Sequence, residues 1–164
     1  MPAVCPVLAV VLVLAAAWPS AAQTRDTVVG LGVSTLRSDG RTAVGVAMDV
    51  AHGFPVSDLV ALGPVADFGL HRSDDVIVTS WLGGGRLTIG RPAARVFGQF
   101  LVGSERCCGV ADLAWQQGGG IDVRVTDRLN LRGQFDVRVV RIEAGGIVFR
   151  SRETRLTFGV SLPF

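Results

Sequence analysis

Three residues in close succession, His71, Ser73 and Asp74, are of the types from which a base, a nucleophile and an orienting acid are assembled. Residues two or three apart in one connection seldom converge on a common point, however, and a solvated polar turn accounts for them. No enzymatic activity is expected from this set. The neighbouring thiols Cys107 and Cys108 could close only a strained eight-membered ring. A metal site on them would need further ligands at suitable spacing, which His52 and His71 do not supply. The pair reads as a loop feature, oxidised if the chain is exported. Two glycine runs, Gly83 to Gly85 and Gly118 to Gly120, lack a following Lys-Ser/Thr or a helix whose N-terminus could hold phosphate. Glycine in strands instead permits sharp curvature and close backbone approach. No cofactor and no metal follow from these motifs.

The remaining candidate is a set of charges, Asp67, Asp122, Arg124, Arg132, Asp136, Arg138 and Arg155, joined by Arg86 and spread over nearly ninety residues. Single buried charges cost several kcal/mol each unless paired, so a mixed set on the inner faces of a narrow barrel would form a plug of ion pairs. The functional variant of the same set is a narrow, non-specific pore gated by it.

What must position these charges is a run of strands. From Val28 onward the dominant period is two, broken at regular intervals by Gly, Asp and Pro, which is the pattern of antiparallel hairpins. Eight strands are predicted: Val28 to Thr35, Thr42 to Val50, Leu59 to Leu70, Val76 to Ile89, Ala94 to Ser104, Leu113 to Val125, Leu129 to Ile142 and Thr154 to Phe164. No helix is evident in the mature chain. In the last strand Leu156, Phe158, Val160, Leu162 and Phe164 share one face, and Arg155, Thr157, Gly159 and Ser161 the other. Leu131, Phe135, Val137 and Val139 oppose Arg132, Gln134, Asp136 and Arg138 in the same way. Alternation alone does not say which face is inside: a soluble secreted barrel binding an apolar ligand buries the apolar face, and a membrane barrel turns it to lipid.

The N-terminus bears on that choice. Ala9 to Ala17 is an apolar core of signal-peptide length, and Ser20-Ala21-Ala22 supplies the small residues of a cleavage site before Gln23. Residues 1–22 are therefore expected to be a cleaved signal helix and 23–164 a single domain, too short for a second module. Cys5 precedes the apolar core and leaves with it. The 16 basic and 14 acidic residues nearly balance, and the arginines alternate with aspartates, so no basic face for nucleic acid exists. Mean hydropathy is +0.44, yet after the leader no run approaches the roughly 18 apolar residues of a membrane helix. The apolar surface must be presented by strands. The connections also differ in character. Leu36 to Arg41, His71 to Asp75, Glu105 to Asp112 and Glu143 to Glu153 read as polar outer loops, whereas Gly90 to Pro92 and Thr126 to Arg128 read as tight turns at the other end. Ala51 to Asp58 is expected to be a longer turn at that second end.

The segments VADFG from Val65, FGQFLVG from Phe97, GGGIDVR from Gly118, LRGQFDVR from Leu131 and the final RLTFGVSLPF resemble the outer-membrane protein β-barrel domain family, small barrels of the outer membrane protein A transmembrane type. The resemblance implies an all-β, eight-stranded antiparallel up-and-down transmembrane β-barrel. It also implies insertion by the barrel-assembly machinery through a C-terminal signal comprising Phe158, Val160, Leu162 and Phe164. The expectation is thus a non-enzymatic, monomeric barrel of a bacterial outer membrane, in contact with its lipid, with a structural or surface-interaction role. The chain contains no Tyr, which leaves Trp81, Trp115 and several Phe to serve as interfacial aromatics.

Overall fold

The computed structural model describes residues 27–38, 40–73, 76–144 and 147–164. Residues 1–22, expected to be a signal segment, and Asp74 lie outside these residues. Among the described residues the chain is strand and turn only, in nine strands: β1 (Thr27–Ser38), β2 (Arg41–His52), β3 (Phe54–Ser57), β4 (Val60–Ser73), β5 (Val76–Arg91), β6 (Ala94–Cys107), β7 (Val110–Thr126), β8 (Leu129–Ala144) and β9 (Ile147–Pro163). Each pairs antiparallel with its neighbour in sequence except across the β2/β3 break, and β1 pairs with both β2 and β9. Pairing of β2 with β4 closes the ring. Closure leaves no free run of backbone donors and acceptors along a sheet edge.

The short β3 is in effect the continuation of β2. Both run antiparallel to β4, β2 along its upper part (Ala51↔Val65) and β3 along its lower part (Phe54↔Leu62), with Gly53 between them. Gly63 permits that irregularity, because a Cβ there would stand 1.8 Å from the His52 carbonyl oxygen. The barrel therefore has eight staves, one of them bulged.

Following paired residues once around the ring, from Ala51 through β4 to β9 and β1, returns to β2 at Arg41, ten residues from the start. A stagger of ten over eight strands implies a strand tilt of about 40°. Eight strands at that tilt leave an interior that side chains fill.

Apolar side chains point outward. Leu131 is 56% exposed and Phe158 64%, and Phe135, Leu156 and Leu162 face the same way. Arg138 and Arg155 have no exposure at all. This arrangement excludes the soluble barrel with an apolar interior. On β8 the outward apolar residues run from Leu129 to Val139 and end at Arg141. Eleven residues at this tilt give a height of about 25 Å, the thickness of the apolar band of an outer-membrane barrel.

The connections differ from the sequence expectation. The four stretches read as outer loops are largely strand: β1 and β2, β4 and β5, β6 and β7, and β8 and β9 approach within two residues of each other in sequence. The Ala51 to Asp58 stretch is likewise mostly strand, with the turn confined to Asp58 and Leu59. The physical reason is that the apolar-out alternation lapses towards the hairpins although the backbone ladder does not. At the β6/β7 turn Cys108 (φ 56°) and Gly109 (φ 85°) both adopt positive φ, as a two-residue type I′ hairpin requires. Both thiols are free, with their sulfurs 3.0 Å apart.

Candidate functional site: an ion-paired lumen

Because side chains alternate along a strand, every second residue of each stave enters the lumen. In the lower half, towards the chain termini, Arg132 on β8 grips two carboxylates at once. Its Nε and Nη2 donate to Asp122 Oδ1 and Oδ2, each at 2.7 Å, and its Nη1 donates to Asp49 at 2.6 Å. Arg86 on β5 completes the set, 2.7 Å from Asp49 Oδ2 and donating to Gln99 Oε1. Both guanidinium groups lie over the ring of the inward-facing Phe97, at 4.3 and 4.9 Å from its centroid, a cation–π arrangement that shields them from beneath. Gly30 makes room: a Cβ there would meet Asp49 Oδ1 at 2.2 Å and Arg132 Nη1 at 2.3 Å.

Gln99 links this layer to the next by donating to Asp136 Oδ1 at 3.2 Å. There Arg155 on β9 donates through Nη1 and Nη2 to Asp67, at 2.8 and 2.6 Å, and through Nε to Asp136 Oδ2 at 3.0 Å. The fork-to-carboxylate geometry with Asp67 is the strong, bidentate kind. Gln134 donates a further bond to Asp136. Gly118 again admits the group, since a Cβ would lie 2.3 Å from Asp136 Oδ1. Higher still, Arg138 binds Glu105 and donates twice to Gln116 Oε1.

Six of the seven charges singled out in the sequence, Asp67, Asp122, Arg132, Asp136, Arg138 and Arg155, thus line the interior in contact with opposite charge. Arg124 does not join them. It lies on the lumen-facing register of β7 but at the lower mouth, where it is exposed and 3.9 Å from Asp127 in the adjacent turn. Asp49 and Glu105, which sequence reasoning left out, are members. Asp49 sits on β2 among Ala43, Gly45, Ala47 and Ala51, small residues that do not announce a polar face, and Glu105 fell in a stretch read as loop.

Below the lowest layer a cavity of about 630 Å³ opens towards the terminal end, between the β3 segment and Thr88, Arg95, Arg124 and Asn130, and it ends against Arg86, Arg132 and Asp122. Near the top, His71 Nε2 is hydrogen-bonded to Ser34 Oγ over Gly45, the β2 residue that both partner. Ser73 is not its partner. Ser34 and His71 have the types of a nucleophile and base, but each is only 1% exposed, and an acyl substrate has no approach to a hydroxyl enclosed this way. Among the described residues no cluster of His, Cys, Asp and Glu has the arrangement of a metal site.

The closed ring of antiparallel strands has counterparts among solved structures. Neisserial surface protein A is similar at a TM-score of 0.59 and 14% identity, over 84% of this chain and 96% of that one. The attachment invasion locus protein of Yersinia pestis is similar at 0.55 and 10%, over 84% and 96%. This chain has the fold of the small outer-membrane β-barrels. The outer-membrane enzyme PagL, at a TM-score of 0.52 and 9% identity over 82% and 99% of the two chains, has it as well. A surface protein, an attachment and invasion protein and an enzyme therefore share one frame, and the frame does not choose among activities. No family model and no curated protein sequence matches the chain.

Proposed function

We propose that the protein is an integral barrel of a bacterial outer membrane with a closed, ion-paired interior and a structural or surface-interaction role. On this reading residues 1–22 are the export signal, the chain is a monomer without catalytic activity, and the strand ending in Phe164, with Phe158, Val160 and Leu162 on its lipid face, is what the barrel-assembly machinery reads. The observation that carries the proposal is the inversion of the usual soluble pattern, with leucine, valine and phenylalanine facing outward over a band of bilayer height and arginine–aspartate pairs within. Surface contacts on this account are made by the rim of the hairpins, because the strands extend almost to their turns.

The rival is a narrow pore, which the lower cavity would serve as a vestibule. Purified protein folded into a planar bilayer separates the two. The plugged barrel gives heat-modifiable migration on gels and no conductance steps, and stable single-channel steps from the same preparation would replace the structural reading with the pore.

A further inference from the structure

Among the described strand residues the outward face carries its charge mainly at one end. Above the apolar band, the first charged outward residue is an arginine on five staves: Arg37 on β1, Arg72 on β4, Arg106 on β6, Arg141 on β8 and Arg152 on β9. With a stagger of ten residues spread evenly over eight strands, these five stand within about 4 Å of one height. At the terminal end, Arg91 is the corresponding outward charge among the described strand residues.

The girdle is densest across β8, β9 and β1. Arg141 and Arg150 are direct cross-strand partners, and Arg152 lies between Arg150 and Arg37, whose own partner is Thr154. Like charges directly opposite one another on a sheet repel. Arg37, Arg141, Arg150 and Arg152 are all exposed and form no ion pair with a described residue. Among the described residues, the one acidic residue on the same outward face is Glu143, two positions above Arg141, and it forms no ion pair with any of them. An anion bridging the guanidinium groups would relieve this repulsion, and their planar forks match phosphate oxygens two at a time. The patch is continuous below with the lipid-facing surface formed by Val139, Phe135 and Leu156. A ligand suited to both surfaces has acyl chains along the band and phosphate at its upper edge.

We propose that Arg37, Arg141, Arg150 and Arg152 form a binding site for a phosphorylated lipid of the outward-facing leaflet. The inference rests on the membrane-barrel reading above, and it adds the partner and the side of the membrane. It also sets the orientation, with the hairpin end outward.

The test uses the full mature chain folded into phosphatidylcholine nanodiscs doped with lipid A or with dephosphorylated lipid A, and scores lipid co-retained with the protein after detergent exchange. Retention of the phosphorylated form is expected to exceed that of the dephosphorylated form by about tenfold or more, the scale of one or two charge-assisted bonds. The double variant Arg141→Gln, Arg150→Gln is expected to remove this preference, and Arg91→Gln, at the opposite end, to leave it unchanged. Arg141→Lys, Arg150→Lys keeps the charge but loses the fork and should fall between. Equal retention of the two lipids, or an unaltered preference in the Gln double variant, overturns the site. So does displacement of the lipid by inorganic phosphate or by a soluble acidic peptide at similar concentration, which would mark a general anion or protein contact. Failure of the wild type to enter the bilayer with heat-modifiable migration overturns the barrel reading instead, and the two failures are told apart on the same gel.

Discussion

Removing the cation at the centre of the lumen should cost more than removing the whole pair. Arg155 is fully enclosed and donates three hydrogen bonds, two to Asp67 and one to Asp136. Arg155→Met leaves two carboxylates in the interior without their cation, a change that typically destabilises by about 3–5 kcal/mol. Asp67→Leu alone leaves Arg155 with Asp136 and should cost less, about 1–3 kcal/mol. In the double variant Met and Leu pack against each other, while Asp136 keeps the donors Gln99 Nε2 and Gln134 Nε2 at 3.2 and 2.8 Å. Its loss should therefore fall below that of Arg155→Met, with a coupling of about 1–3 kcal/mol between the two sites. Urea titration of the barrel in lipid vesicles measures this, with the folded fraction read from unboiled gel migration and from fluorescence of the outward-facing Trp81 and Trp115. If the two single losses simply add, the pair is not the dry, mutually dependent contact described above, and the account of a plugged lumen fails with it.

Two further outcomes follow from local geometry. Gly30→Val puts side-chain atoms into space held by Asp49 and Arg132, so a loss of about 1–3 kcal/mol is expected in the same titration, whereas Gly85→Val, outward-facing on β5 with nothing within 4 Å of the new Cβ, should not disturb the lumen. At the hairpin end, the hydrogen bond with Cys108, followed by burial, pushes the Cys107 thiol up to about 11. A rise of about two units lowers the reactive thiolate fraction at neutral pH about a hundredfold. Alkylation mapped by mass spectrometry should accordingly be slow at Cys107 and accelerate in Cys108→Ala; an unchanged rate in that variant would remove the hydrogen bond as the cause.

Much of the frame was legible because period-two alternation is a property of neighbouring residues. The eight predicted strands correspond to the eight staves, and the lipid face of Leu156, Phe158, Val160 and Leu162 follows directly from their spacing. Less was legible where the pattern changes without the backbone changing. Glu143, Arg150 and Arg152 interrupt the apolar face, and the interruption reads as loop, although β8 and β9 continue through all three. Gly53 and Pro55, two residues on, read as turn, yet β3 carries the β2 stave onward after one irregular residue.

The sequence by itself determined the strand period, the even number of staves and the segregation of charged from apolar faces, since each depends only on residues one or two apart. Tertiary structure decided which charges meet. Asp67 and Arg155 are 88 residues apart in the chain, and Asp49 and Arg132 are 83. Their contact depends on the stagger of ten residues around the closed ring, a sum over eight strand pairings that no local segment contains. The same sum carries Arg124 to the open mouth and brings the arginines of separate hairpins to one height above the apolar band.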